Sequence, residues 1–366
     1  MHKKHADIAR PPYGEFSRQE YAFLGTPCGN IQRLTAALAE ALSDDFQIGY
    51  VDADHGEGGA PELPAHRSYT DKISHHRLDF FGHWNKHQYR AWFNDQDVVL
   101  VNGNHFRAAR QVVIIDSRKK DSLQRKLDRL TDVRLFLLAE GEKDIWPYLK
   151  DHLPNWADIP TLSLQDNDSI TAWLRSQLHI PPLKGLVLAG GKSTRMGTDK
   201  GALDFHGKPQ REHMADLLTP LCEEVYLSVR AGQEVPSDRP LLEDTFTGLG
   251  PFGALLSAFR YDPDAAWLLV ACDLPLLDAA TLQQLQQGRN PRRIATAFQS
   301  PINEFPEPLI AIWEPKAYQH ALHFLAQGYS CPRKVLINSN IELLHAEDPR
   351  TLTNVNTPEE LEEVKK

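Results

Sequence analysis

Leu186-Val-Leu-Ala-Gly-Gly-Lys-Ser-Thr-Arg-Met-Gly-Thr-Asp-Lys200 decides how the second half of this 366-residue chain reads. An apolar strand runs into Gly190-Gly191, where two residues without side chains let the backbone turn sharply and approach a ligand with its N–H groups outward. Arg195 and Lys200 follow on the same loop. Backbone donors and two cations on one short loop make a polyphosphate cradle. The spacing matches neither GxxxxGK[ST] nor GxGxxG. The plainer alternative is a glycine-rich turn with solvated charges.

Working outward, apolar runs of strand length recur at Gly185–Leu188, Val225–Val229, Trp267–Ala271, Ile294–Phe298 and Leu309–Trp313. Helical periods fall between them at Pro209–Leu218, Pro251–Phe259, Ala279–Gln287 and Pro315–Gln327, and a last one at Pro358–Val364. Upstream, Glu20–Leu24, Phe46–Val51, Asp97–Val101, Val112–Asp116, Val133–Leu138 and Thr161–Leu164 read as strands, with helical periods such as Ile31–Leu42 and Ser122–Leu130. Apolar strands alternating with helices predict an α/β fold built on mostly parallel sheets with flanking helices. Pro181-Pro182 cannot continue a helix and precedes a new strand. This gives a polar arm at 1–18, a first domain at 19–180 and a second at 181–366. Segment 52–96, rich in Gly, His, Asp and aromatics, has no clean period and reads as loop and short helix on one edge.

Residues 1–182 carry 22 basic and 25 acidic side chains and residues 183–366 carry 18 and 24, for a net charge of −9. Neither half is basic, which argues against nucleic acid as a partner. No apolar run approaches the ~20 residues of a membrane span, and MHKKHADIARPPYG has no secretory apolar stretch, so no membrane association is expected and the expected location is cytoplasmic. Cys28, Cys222, Cys272 and Cys331 are scattered without CxxC pairing, as reduced thiols are.

LAGGKSTRMGTDKGAL resembles the signature of the molybdenum cofactor guanylyltransferases, the MobA-like nucleotidyltransferases. Further stretches agree in order over about 184–366. Gly250-Pro-Phe-Gly-Ala254 after Glu243-Asp244 resembles a second nucleotide loop. Ala271-Cys-Asp-Leu-Pro275 resembles a metal-binding Asp-x-Pro. Asn354-Val-Asn-Thr-Pro-Glu-Glu-Leu361 resembles a motif near the pterin site. The resemblance implies a Rossmann-like three-layer domain that transfers GMP from GTP to the terminal phosphate of molybdopterin (or Mo-molybdopterin), releasing pyrophosphate.

By that resemblance Lys200 and Arg195 offset phosphate charge and Asp273 holds Mg2+. Leu188, Ala189, Gly190, Gly191, Lys200, Ser228, Asp244 and Asp273 line the nucleotide, and Asn354, Asn356 and Arg333 meet the pterin. Alternatives stay open from the residues themselves. Arg195 and Lys200 also read as surface cations, Ser228 as a polar strand end, Asp273 as a helix cap before Leu-Pro, Asn354 and Asn356 as helix-start punctuation, and Arg333-Lys334 as a solvated helix start. His206-Gly-Lys-Pro-Gln-Arg-Glu212 departs from the family's GKP followed by apolar residues.

In the first half, Phe23-Leu-Gly-Thr-Pro-Cys-Gly-Asn-Ile-Gln-Arg33 stands where a phosphate loop would, but Asn30-Ile31-Gln32 replace the lysine and hydroxyl residue. Together with Tyr50-Val-Asp-Ala-Asp-His55 and Asp97-Val-Val-Leu-Val-Asn-Gly103, it resembles a MobB-like GTP-binding adaptor, P-loop-NTPase-like in fold. Asn102 stands in place of a Glu. The resemblance implies a degenerate domain that no longer hydrolyses GTP. Its implied partners are molybdopterin-insertion and molybdoenzyme-maturation proteins. Seven histidines between 55 and 105 (His55, His66, His75, His76, His83, His87 and His105) have no diagnostic metal spacing and read as solvated or core-satisfying. Trp84, Tyr89, Trp92 and Phe93 read as packing. Competing functions are a CTP-dependent molybdopterin cytidylyltransferase, another small-molecule nucleotidyltransferase, and a non-enzymatic cofactor-handling adaptor.

Overall fold

The computed structural model describes residues 8–54, 67–80, 82–190, 200–355 and 360. They form two units: Pro12–His179, and Ile180–Lys366 together with the start of the chain up to Pro11. The boundary expected at 181 falls between His179 and Ile180. The polar arm is shorter than the sequence suggests. Phe16 and Ser17 are buried, and the fully buried Glu20 carboxylate accepts the backbone N–H groups of Glu15, Phe16, Ser17 and Ala109 at 2.7–3.0 Å. A carboxylate taken from water needs such donors.

The first unit contains strands β1 (Glu20–Leu24), β2 (Ile48–Val51), β3 (Arg67–Asp71), β4 (His76–Phe80), β5 (Val98–Asn102), β6 (Arg110–Ile115), β7 (Val133–Leu138) and β8 (Thr161–Ser163). Its helices are α1 (Cys28–Leu42), α2 (Lys86–Trp92), α3 (Lys120–Gln124), α4 (Pro147–His152) and α5 (Asn167–Gln177). The main sheet runs β2-β5-β1-β6-β7-β8, all parallel. β1 and β5 are buried at every residue, as strands covered on both faces must be. Helix α1 buries Ile31, Leu34, Leu38 and Leu42 on one stripe against Tyr21, Phe23 and Leu100. The other face packs on Leu123, Trp146 and Leu149.

Segment 52–96 differs from its expected loop and short helix. Its described part holds a separate two-stranded hairpin, β3–β4, before α2. Both hairpin strands are mostly exposed, so no apolar alternation marks them in the sequence. The stretch expected as one helix at Ser122–Leu130 is α3 flanked by 3-10 turns. Trp84 touches the rings of Phe80, Tyr89 and Trp92, and Phe16 meets Tyr89 and Phe93, a local aromatic cluster as expected.

The second unit contains β9 (Leu183–Leu188), α6 (Gln210–Leu218), β10 (Val225–Val229), β11 (Leu241–Glu243), α7 (Pro251–Tyr261), β12 (Ala266–Ala271), α8 (Ala279–Gln287), β13 (Ala295–Gln299), β14 (Pro306–Trp313), α9 (Ala317–Ala326), α10 (Pro332–Ile337) and β15 (Glu342–Leu344). Its sheet runs β11-β10-β9-β12-β14-β13-β15, parallel except for the reversed β14. Met214 and Leu218 of α6 and Leu282 and Leu285 of α8 cover one face over Val187 and Leu268. Leu255 and Phe259 of α7, Ala317 and Ala321 of α9 and Val335 of α10 cover the other over Leu186, Trp267 and Trp313. The unit is therefore three-layered and Rossmann-like. The expected helix Pro358–Val364 lies outside the described residues apart from Glu360. No helix among the described residues is long and apolar enough to cross a membrane.

Candidate nucleotide site at the switch point of the second sheet

The order β11-β10-β9-β12 reverses direction between β9 and β12. Open α/β sheets bind ligands at the carboxyl ends of the strands flanking such a reversal. Leu188, the last residue of β9, is in register with Ser228 of β10 and Ala271 of β12. β11 pairs in parallel with β10, Val229 opposite Glu243, so the loops after β9, β11 and β12 meet at one edge. They carry Ala189-Gly190, Asp244 and Asp273.

Ala189 is buried and donates its N–H to Ser228 O at 3.0 Å. A Cβ on Gly190 would stand 3.0 Å from Arg230 N and 3.3 Å from the Val229 backbone. Glycine therefore lets the strand end lie against β10. Gly191 and Arg195 fall outside the described residues. Lys200 opens a 3-10 turn, Lys200–Ala202, and its side chain is likewise outside.

Ser228 Oγ donates to Asp244 Oδ1 at 2.8 Å, and Asp244 N donates to Val229 O at 2.8 Å. Burial holds the Asp244 carboxyl above its ordinary range, with the Ser228 bond pulling the other way. The next two residues are fastened from α7. The buried Ser257 Oγ accepts Thr245 N at 2.9 Å and Phe246 N at 3.2 Å and donates to Gly253 O at 2.6 Å. Sequence reading missed Ser257. The signal was a hydroxyl set inside the apolar run Ala254-Leu-Leu-Ser-Ala-Phe259. Gly250 at φ 56° and Pro251 open α7, which has no acidic residue in its first turn. Since α7 follows β11, its positive end lies at this same edge.

Asp273 stands two residues past β12, half-buried, and its carbonyl accepts Val355 N at 2.8 Å. It does not cap a helix. The next helix, α8, is capped by Asp278, whose carboxylate accepts Thr281 N at 2.8 Å. The helix-cap alternative is thereby corrected. Among the described residues no three His, Cys, Asp or Glu side chains converge as a metal cage. A single hard-oxygen carboxylate at an open strand end suits Mg2+, which keeps waters and takes its other ligands from substrate phosphates.

The Val355 bond brings Asn354, exposed, beside the Asp273 loop. Asn356 is outside the described residues. Arg333 is not a solvated cation: its guanidinium pairs with Glu307 at 3.1 Å. Lys334 lies over the Tyr329 ring at 4.7 Å. Helix α6 forms despite the unusual residues after Pro209, with Gln210 and Arg211 buried at its start.

The strand order of the first sheet has a similar switch point between β1 and β6. Gly25, at φ 99°, opens the loop before α1, and a side chain there would collide with Ile114 O. Thr26 Oγ1 donates to Asp116 Oδ2 at 2.6 Å and accepts Asn30 Nδ2 at 3.0 Å. Asn102 Nδ2 donates to Asp52 Oδ1 at 2.7 Å, and Gln32 and Tyr50 donate to Asp52 Oδ2. Burial would raise Asp52, yet the bonds from Tyr50, Gln32, Ala53 N and Asn102 hold it below its ordinary range. Asn30, Gln32 and Asn102 thus spend polar groups on partners within the protein. Cys28 Sγ lies 3.2 Å from His105 Nε2. His83 precedes α2 and His87 lies within it, so the two do not share a helix face. His55 and His66 are outside the described residues.

Residues 185–342 match the family model for the MobA-like NTP transferase domain. The chain is 33% identical over 188 residues to molybdenum cofactor guanylyltransferase of Pseudomonas aeruginosa, covering 49% of this chain and 93% of that one. The chain belongs to the MobA-like NTP transferase family. It is also 34% identical over 182 residues to a molybdenum cofactor biosynthesis bifunctional protein of Synechocystis, and spans about half of that protein, 52%. Among solved structures, molybdopterin-guanine dinucleotide biosynthesis protein A of Archaeoglobus fulgidus is similar at 21% identity and a TM-score of 0.43, over 50% of this chain and 96% of that one. The MobA-like region of this chain thus spans β9 to β15 and includes Ser228, Asp244 and Asp273.

Proposed function

We propose that the second unit transfers GMP from GTP to the terminal phosphate of molybdopterin, or Mo-molybdopterin, yielding the guanine dinucleotide form and pyrophosphate. The observation that carries this reading is the meeting of the signature strand end, the Ser228–Asp244 pair and Asp273 at one switch-point edge. The names of the relatives supply guanine and molybdopterin. A phosphate oxygen of the acceptor attacks the α-phosphorus of GTP, the new P–O bond forms, and the α–β bridging oxygen leaves with its electron pair on pyrophosphate. The attacking phosphate is anionic at neutral pH, so positioning and charge neutralisation suffice.

Leu188, Ala189, Gly190 and Gly191 bring backbone to the nucleotide. Ser228 and Asp244 face its ribose or base. Arg195 and Lys200 offset phosphate charge, and Asp273 holds Mg2+. When bound, Mg2+ neutralises phosphate oxygens and orients them. Asn354 and Asn356 stand for the pterin side. Arg333 serves there through the edge it shares with Glu307. The first unit we read as a GTPase-like adaptor without hydrolytic activity, docking molybdopterin-insertion or molybdoenzyme-maturation proteins in the cytoplasm.

Chromatography of products from molybdopterin with GTP, CTP or ATP tests the reading. Dinucleotide forms from GTP, and Asp273→Asn lowers the rate on the order of 10³-fold with the fold intact. Product from CTP and none from GTP overturns it.

A further inference from the structure

Three consecutive carbonyl oxygens of the Asp273 loop are each taken by a donor from elsewhere in the second unit. Val355 N bonds Asp273 O at 2.8 Å, Gln210 Nε2 bonds Leu274 O at 3.5 Å, and His206 Nε2 bonds Pro275 O at 3.0 Å. A carbonyl acceptor requires the Nε2–H form of His206. Both side chains belong to the segment that continues from the signature. That segment folds on itself through the Lys200–Ala202 turn, the Gln210 N bond to Leu203 O at 2.8 Å and a bridge between Asp204 and Pro209. It therefore links the segment that begins at the Lys200–Ala202 turn to the carboxylate-bearing loop.

The two contacts have different surroundings. Gln210 is fully buried, where the family pattern has an apolar residue, and a buried amide needs polar partners. His206 is exposed on its outer side but its ring plane is set by His213, stacked at 3.8 Å and 20°. Burial first, then His206 and Lys208, hold His213 below its ordinary range against the pull of Asp216, which leaves it neutral near pH 7 and compatible with the stack.

We propose that His206 and Gln210 are positioning residues that hold the Asp273 loop, and with it the carboxylate that takes the divalent ion on the reading above, in place. Groups that hold a metal ligand from behind govern affinity for the ion without touching it.

The test uses the full chain, Mn2+ as the probe and electron paramagnetic resonance of the free ion with GTP present. His206→Ala and Gln210→Leu each weaken Mn2+ binding about 10-fold, and His206→Gln, which keeps a donor, restores most of it. In the transfer assay the Mg2+ needed for half-maximal rate rises by the same factor while kcat at saturating Mg2+ changes little. Should His206→Ala fail to fold, Gln210→Leu decides, because an apolar side chain suits that buried place. Unchanged Mn2+ binding in a folded variant, or failure of His206→Gln to rescue, overturns the proposal. If Asp273→Asn abolishes binding while the variants match the wild type, only the positioning proposal falls. If Asp273→Asn itself leaves binding unchanged, the reading of Asp273 falls and takes this proposal with it.

Discussion

Ser228 donates its hydroxyl to Asp244 at 2.8 Å, tying the end of β10 to the residue just past β11. Burial raises the Asp244 carboxyl, so the folded state favours its protonated form. Stability from this group is present below the ordinary carboxylate range and is lost as pH rises through the folded pKa. Ser228→Ala removes the one bond that lowers the group. The variant is expected to lose about 1 kcal/mol at pH ~7.5 and less near pH ~4. Urea denaturation across that range checks this; a pH-independent loss contradicts it.

Gly190→Ala brings a methyl group to 3.0 Å from Arg230 N, too close for backbone to ignore. The expected cost is about 1–2 kcal/mol, with a higher KM for GTP because the strand end that launches the signature shifts. Thermal melts and steady-state kinetics read both. Wild-type values in each show that the close approach is not required.

Ser257→Ala takes away the oxygen that receives Thr245 N and Phe246 N. Two N–H groups, on the exposed Thr245 and the half-buried Phe246, lose their acceptor, costing about 1 kcal/mol. The loop after Asp244 loosens, so KM for GTP rises while kcat holds. Calorimetric GTP affinity is the direct measurement, and an unchanged value sinks the assignment of Asp244 to the nucleotide edge.

Asn102→Glu replaces a donor to Asp52 by a second carboxylate. The variant is expected to lose about 2–3 kcal/mol near neutral pH, where a second buried carboxylate faces the ionised Asp52, and to recover part of it in acid. It gains no GTP hydrolysis, since the lysine and hydroxyl of a phosphate loop are still absent. Denaturation at two pH values and a phosphate-release assay decide.

Much of the scaffold was legible beforehand. β1, β7, β10 and α8 occupy the residues read from apolar runs and helical periods. Runs buried on both faces announce themselves whatever their neighbours are. The hairpin β3–β4 escaped because its sides are mostly wet, and the three-residue strands β11 and β15 because they are too short for a period.

The site divides along the same line. The glycine pair after an apolar strand, and a carboxylate just past another, are local patterns, so the chain's order alone placed Gly190 and Asp273 at strand ends. Which strands lie side by side is not local. Register across β9, β10 and β12 brought those ends together, and only folding showed Arg333 engaged by Glu307, and His206 and Gln210 on the carbonyls behind Asp273. Periodicity and turn chemistry act over a few neighbouring residues, whereas these hydrogen bonds and ion pairs join residues tens of positions apart. They exist only once the sheet has chosen its strand order.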